Sequence, residues 1–328
     1  MMLVNNVLRS VYRANSSEMG RLNILTMCRN TEKYISLLSD YTPHTFYILE
    51  QHPWNVLIEK PRPNIYQHGS HSPPLDCIIC YDRAEQYEEA QGVAHQLHIP
   101  IILVDMCSRE LVRPQHILEN LTPVDASVLH RKPTLIVCND EHIQRSWNRP
   151  FTDLNADINQ SIVIPAGINT DKFKPRPQTD PLIAMDNNTS PQAGAEVASR
   201  IGTRYRIIPT DHDNSEEIAV THSRYFINTK RNITVKTLEA MSAGNVVICQ
   251  KNADTESLIE HGKTGILLNN LEELLPTIDR LEKSESDRLQ ISNFARQKII
   301  REHSVEEFSL KWASAFSMIK LSFYLPAT

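Results

Sequence analysis

Asn232-Ile-Thr-Val-Lys236-Thr-Leu-Glu239-Ala-Met-Ser-Ala-Gly244-Asn-Val-Val-Ile-Cys-Gln250, followed by Glu256-Ser-Leu-Ile-Glu-His-Gly-Lys-Thr-Gly265-Ile-Leu-Leu268, is the stretch on which the fold turns. Leu238 and Met241, with the small Ala240 and Ala243, form a short apolar helical face. Gly244 ends that helix, because a residue without a side chain takes the left-handed turn at a helix C-terminus most cheaply. Val246, Val247, Ile248 and Cys249 make an unbroken apolar run of strand length, the pattern of a buried strand. A second helix is expected next. His261-Gly-Lys-Thr-Gly265 then punctuates the chain before the strand Ile266-Leu-Leu268.

The alternation extends outward in both directions. Before the midpoint, strands are expected over 22–27, 46–49, 75–80, 99–104, 134–138 and 161–164. The clearest helix among them covers 85–97, with Ala90, Val93, Ala94 and Leu97 at helical spacing. After the midpoint, strands over 181–185, 205–208 and 224–228 alternate with helices over 192–201 and 215–221. Helices over 271–281, 286–302 and 305–320 follow the quoted stretch. Strands regularly separated by helices argue for parallel sheets covered by helices. A chain of 328 residues has room for two domains of ~150 residues each. Pro165, Pro175, Pro177 and Pro181 around a polar stretch give the midpoint a hinge composition.

A net charge of -5 and a pI near 6.2 provide no global basic field for nucleic acid or anionic membrane, though they leave room for a local basic groove. Of six cysteines, the close pair Cys77-Ile-Ile-Cys80 lies in an apolar run and has no second ligand pair at zinc-finger spacing. In a strand those two positions face opposite sides, so reduced thiols of a cytoplasmic protein are expected. No secretory signal is visible, and no apolar run approaches the ~20 residues of a membrane span. Residues 1–14 carry Leu3, Val4, Val7, Leu8 and Val11 with Arg9 and Arg13, an amphipathic pattern suited to packing on the domain or to membrane-surface contact.

The quoted stretch resembles the nucleotide-sugar half of the GT-B glycosyltransferases, whose pattern is "LEAMAxGxPVV" followed by "ExIxxGxxG". A second stretch, Val163-Ile-Pro-Ala-Gly167-Ile-Asn-Thr-Asp171-Lys-Phe173-Lys-Pro175, resembles the "PNGVDTDRFxP" segment between the two domains of those enzymes. The resemblance implies two Rossmann-like domains facing a cleft: an acceptor-side domain over 1–170, a nucleotide-sugar domain over 171–305 that is one strand-helix unit short, and a last helix over 306–328 crossing back to the first. It also implies a nucleoside diphosphate sugar, typically a UDP-sugar, as the donor, with no permanently bound cofactor and no metal. Trp312 and Phe316, at helical spacing, would supply the contact of the last helix.

A sugar nucleotide presents a diphosphate, which needs N–H donors and cations, and a ribose diol, which a carboxylate can accept. Thr234 has the character of a helix N-cap, which would turn the N–H groups that follow it, that of Val235 first, toward a diphosphate. Lys236 and Glu239 fall three apart on one side of that helix, where the plain reading is an exposed Lys–Glu pair. By resemblance, Glu239 is the ribose ligand and Lys236 a phosphate cation. Lys230 and Arg231, in the loop just before the cap, would assist the diphosphate.

Two departures bear on stereochemistry. Arg231 stands eight positions before Glu239, where the retaining branch of the family carries a second Glu, and Asp105 stands where that branch tends to place a His. The bacteriophage DNA β-glucosyltransferases, which are inverting, have a similar strand ending in the catalytic Asp, and an "FITLRVWETMAS" run that resembles residues 232–243, its diphosphate-binding Arg falling on Lys236. They imply Asp105 as the base that deprotonates the acceptor, and they place a hydroxymethylated pyrimidine in DNA among the acceptors, beside small metabolites, lipids and cell-wall polymers. Their arginine-rich phosphate loop has no counterpart in Asp186-Asn-Asn-Thr-Ser190. A carboxylate at the carboxyl end of a parallel strand lies where open α/β sheets place their ligand, although such a residue is also a common turn or cap. Gln67-His-Gly-Ser-His-Ser-Pro-Pro74 reads as a polar surface loop, and His142 and Trp147 as positions on a helix face. An epimerase, or a GT-B scaffold that binds without turnover, is the alternative to transfer.

Overall fold

The computed structural model describes residues 20–27, 32–49, 64–81, 84–105, 133–141, 143–145, 147, 161–177, 182–186, 191–210, 214–230 and 233–324. The segment 1–14, Arg231 and His142 lie outside the described residues. The chain divides into two compact units: Met1–Gly167 with Glu306–Thr328, and Ile168–Val305.

Among its described residues, the first unit contains seven parallel strands: β1 (Asn23–Met27), β2 (Thr45–Leu49), β3 (Ile65–His68), β4 (Cys77–Tyr81), β5 (Ile101–Asp105), β6 (Leu135–Cys138) and β7 (Ser161–Val163). They lie in the order β3-β2-β1-β4-β5-β6-β7. Helices α1 (Glu32–Tyr41) and α2 (Ala84–Leu97) connect them, and the closing helix is Val305–Tyr324. Successive strand residues face opposite sides of the sheet. On one side Ile24, Ile102, Val104 and Val137 pack with Leu38 of α1 and with Phe308, Trp312 and Phe316 of the closing helix. On the other side Leu25, Leu103 and Ile136 pack with Tyr87, Ala90 and Ala94 of α2 and with Trp147. Cys77 and Cys80 divide between these two sides, and both are buried thiols outside any disulfide. Gly167 admits the closing helix, since a Cβ there would stand 2.8 Å from Phe308 Cβ.

Part of the stretch read as a polar loop is a strand. β3 pairs in parallel with β2 from Phe46↔Ile65 to Leu49↔His68. It is the edge of the sheet, with Tyr66 53% exposed and Gln67 exposed, so it lacks the buried alternation by which strands are found in a sequence.

The second unit, among its described residues, contains five parallel strands: β8 (Ile183–Asp186), β9 (Ile207–Pro209), β10 (Tyr225–Asn228), β11 (Val246–Gln250) and β12 (Ile266–Leu268), in the order β12-β11-β10-β8-β9. The helices are α3 (Pro191–Ile201), α4 (Asn214–His222), α5 (Val235–Ser242), α6 (Ala253–Leu258), α7 (Leu274–Lys283) and α8 (Glu285–Glu302). Ile183, Tyr225, Ile227, Val246, Ile248 and Ile266 pack with Leu274, Ile278 and Leu281 of α7. Gly244 follows α5 at φ +82, and its carbonyl accepts from Ser292 Oγ of α8 at 2.6 Å. After β8 the chain adds β9 on one side and β10 on the other. The boundary between β8 and β10 is therefore the topological switch point, where open α/β sheets bind their ligands at the carboxyl ends of the strands.

Candidate functional site

Asp186 ends β8 and Asn228 ends β10, side by side in register at that switch point. Asp186 is fully buried, at 0% exposure. Its Oδ2 lies 3.6 Å from Lys230 Nζ and accepts from Thr234 Oγ1 at 3.4 Å, while its backbone carbonyl accepts from Thr229 Oγ1 at 2.7 Å. The turn after β10 is tied by Lys230 N–H donating to Asn228 Oδ1 at 2.9 Å. Lys236 reaches the end of β9, where its Nζ donates to the Thr210 carbonyl. Lys230 and Lys236, two of the three candidate phosphate cations, thus gather at the carboxyl ends of three adjacent strands.

Thr234 is the N-cap of α5, as its place in the sequence implied. Its Oγ1 accepts from Thr237 N, and Thr237 Oγ1 accepts from Thr234 N in return, a reciprocal capping box. The Val235 amide belongs to the first turn, whose N–H groups an α-helix cannot satisfy internally. One turn further along, Glu239 is 5% exposed. At that burial it is not the solvated half of a surface Lys–Glu pair. The C-terminal end of α5 is fixed from α8: Arg296 donates to the carbonyls of Ser242, Phe173 and Thr170, and Ser242 Oγ also donates to Phe173 O at 2.7 Å. Burial draws the Arg296 guanidinium below its ordinary range, partly offset by Asp171.

The edge therefore offers N–H groups, two lysines and a buried carboxylate on one helix and the loops beside it. Reading the sequence named Lys230, Arg231, Thr234, Val235, Lys236 and Glu239 as candidates for a diphosphate and ribose site and did not name Asp186. The available signal was an acidic residue closing the apolar run Ile183-Ala-Met-Asp186.

In the first unit, Asp105 closes β5 and is also fully buried, with Oδ2 accepting from Trp147 Nε1 at 2.6 Å. Trp147, expected only as a helix-face residue, is thus a direct partner of the candidate base. Asn139, just beyond β6, donates its N–H to Asp105 O at 3.1 Å, and its Oδ1 accepts from Ala166 N at 3.0 Å. His68 closes β3 at the far edge of the sheet, its ring edge-on to Tyr47 at 5.8 Å, and His71 is exposed. Neither joins Asp105. Among the described residues no three His, Cys, Asp or Glu side chains gather to hold a metal ion, and no helix is long and apolar enough to cross a membrane.

Residues 214–311 match a family model described as glycosyl transferase-like. The matched span contains Lys230, Thr234, Val235, Lys236 and Glu239. No curated protein matches the sequence. Among solved structures, the chain is similar to HepE from Anabaena in complex with UDP, at 13% identity over 91% of this chain and 100% of that one, with a TM-score of 0.69. It is similar to a glycosyltransferase from Rickettsia africae at 13% identity, over 94% and 100%, with a TM-score of 0.65. Sucrose-phosphate synthase from Thermosynechococcus elongatus gives 10% identity, over 92% and 100%, with a TM-score of 0.68. Likenesses at this level of identity speak to architecture, and together with the two parallel-sheet units they establish that the chain has the GT-B fold.

Proposed function

We propose that the chain is a glycosyltransferase that takes a sugar from a nucleoside diphosphate sugar, a UDP-sugar by preference, and transfers it to an acceptor hydroxyl. The observation that carries this reading is the gathering of Lys230, Lys236 and the Thr234-capped start of α5 at the switch point of the second unit, with buried Glu239 one turn further along that helix, inside the span matched by the glycosyl transferase-like model. The choice of uridine is supported by the HepE structures, which hold UDP or UDP-glucose.

In this reading the Val235 N–H and the cations Lys230, Lys236 and Arg231 meet the diphosphate, and Glu239 accepts from the ribose diol. A charge-assisted bond of that kind is worth ~1.5 to 3 kcal/mol. Asp105 takes the acceptor's proton, with one carboxylate oxygen already fixed by the Trp147 indole. Because Asp105 is buried in this structure, the role requires that acceptor binding uncover it. That same burial favours a second reading, a GT-B scaffold that binds nucleotide without turnover. The two are separated by incubating the protein with UDP-glucose and related donors, alone and with candidate acceptors, and measuring release of UDP. Acceptors carrying a free hydroxyl, hydroxymethylated DNA among them, should speed release. No release from any donor, in a protein that binds UDP, would leave the binding scaffold standing.

A further inference from the structure

We propose that Asp186 is an internal counter-anion of the diphosphate site, holding Lys230 in place and limiting how tightly a nucleoside diphosphate is retained. The inference rests on the reading of this edge as the donor site. One carboxylate oxygen, Asp186 Oδ2, serves both Lys230 Nζ at 3.6 Å and Thr234 Oγ1 at 3.4 Å. The Thr234 hydroxyl has one hydrogen. Donating it to Asp186 leaves the oxygen to accept from Thr237 N at 3.3 Å, so the carboxylate orients the helix cap as well as the lysine.

A fully buried carboxylate cannot release its cation cheaply, because the stripped charge would stay out of water. Lys230, whose side chain is only 19% exposed, must therefore serve Asp186 and a diphosphate at once. The diphosphate meets a cation that is already partly neutralised. Asp186 itself adds repulsion from a short distance, in surroundings where charges are poorly screened. A donor site has to let its nucleoside diphosphate leave after each transfer, and a carboxylate set behind the lysine weakens retention while keeping the lysine aimed.

The test is calorimetric titration of UDP and of uridine into wild type, Asp186→Asn, Lys230→Ala and the double variant, at low and high salt. Asp186→Asn should bind UDP about tenfold or more tightly, since one opposing charge near a diphosphate is removed, with a steeper salt dependence. Uridine affinity should not change, which a merely structural role would not predict. Lys230→Ala should lose more UDP affinity in the Asp186→Asn background than in wild type. If thermal unfolding shows that Asp186→Asn does not fold, Asp186→Ser removes the same charge, keeps a hydroxyl and is read in the same way. A folded charge-removed variant that binds UDP no more tightly than wild type overturns the inference. Wild type that binds no UDP overturns instead the donor-site reading on which it rests.

Discussion

His44 makes the first unit sensitive to mild acid, and the size of the effect can be worked from its surroundings. The ring is 2% exposed, packs edge-on against Phe316 of the closing helix at 4.6 Å, and accepts from Leu22 N at Nδ1 across 3.2 Å. A nitrogen that accepts a backbone hydrogen bond cannot also carry a proton. Burial, with the Arg21 charge adding to it, lowers the pKa from 6.5 to about 4. The unfolded chain, whose imidazole titrates normally, therefore binds its proton first as pH falls. Stability is complete above the unfolded value and declines as pH drops from 6.5 toward about 4. Between pH 7 and pH 5 the loss is about 2 kcal/mol, and about 3 kcal/mol once both states are protonated. Trp147 and Trp312 are buried in the first unit and residues 168–305 contain no tryptophan, so tryptophan fluorescence in urea reports unfolding of the first unit. Wild type should lose about 2 kcal/mol more between pH 7 and pH 5 than His44→Gln, which keeps an acceptor for Leu22 but cannot titrate. Equal losses in the two proteins would refute the assignment.

Three further outcomes follow from the site and its supports. Lys236→Ala should weaken UDP binding and make it less salt-sensitive while nucleoside affinity barely moves; equal loss for UDP and uridine would show that Lys236 supports the fold instead of holding phosphate. Asp105→Asn, which can still accept from Trp147, should lower transfer by ~10²- to 10⁴-fold with donor affinity within a few-fold, and the wild-type product should be inverted at the anomeric carbon by NMR; near-normal turnover, or retention, would contradict this. Gly244→Ala should destabilise by at least ~1 kcal/mol, because φ is +82 and the new Cβ would stand 3.0 Å from Pro175 Cγ; a melting temperature equal to wild type would show that the turn relaxes freely.

The strands that carry the two cores were legible because they are apolar over their whole length: Ile101 to Val104 and Val246 to Cys249 are bounded by polar or turn residues and buried on both faces. β3 was not legible, since an edge strand with Tyr66 and Gln67 in solvent has no apolar signature. Nor was α1, where Ile35 and Leu38 are the buried apolar pair on a helix otherwise rich in polar residues. At the site, the cap at Thr234 and the placement of Lys236 and Glu239 follow from local rules over a few residues. The partners of those groups do not. Asp186 lies 44 positions before Lys230 in the chain, and Trp147 lies 42 after Asp105; strand order in a parallel sheet, set by helices that intervene in sequence, brings each pair together. A motif of a dozen residues carries its own helix cap, whereas the acid behind a lysine becomes visible only once the sheet is assembled.

The central claim, that the carboxyl edge of the second sheet holds a nucleoside diphosphate with Glu239 on its ribose, is tested most directly by titrating UDP into wild type and Glu239→Ala in a calorimeter. Wild type should bind, and the folded variant should lose ~1.5 to 3 kcal/mol of binding free energy, the worth of a charged acceptor to two hydroxyls. Unchanged affinity in the folded variant, or no heat from wild type at any concentration, would contradict it.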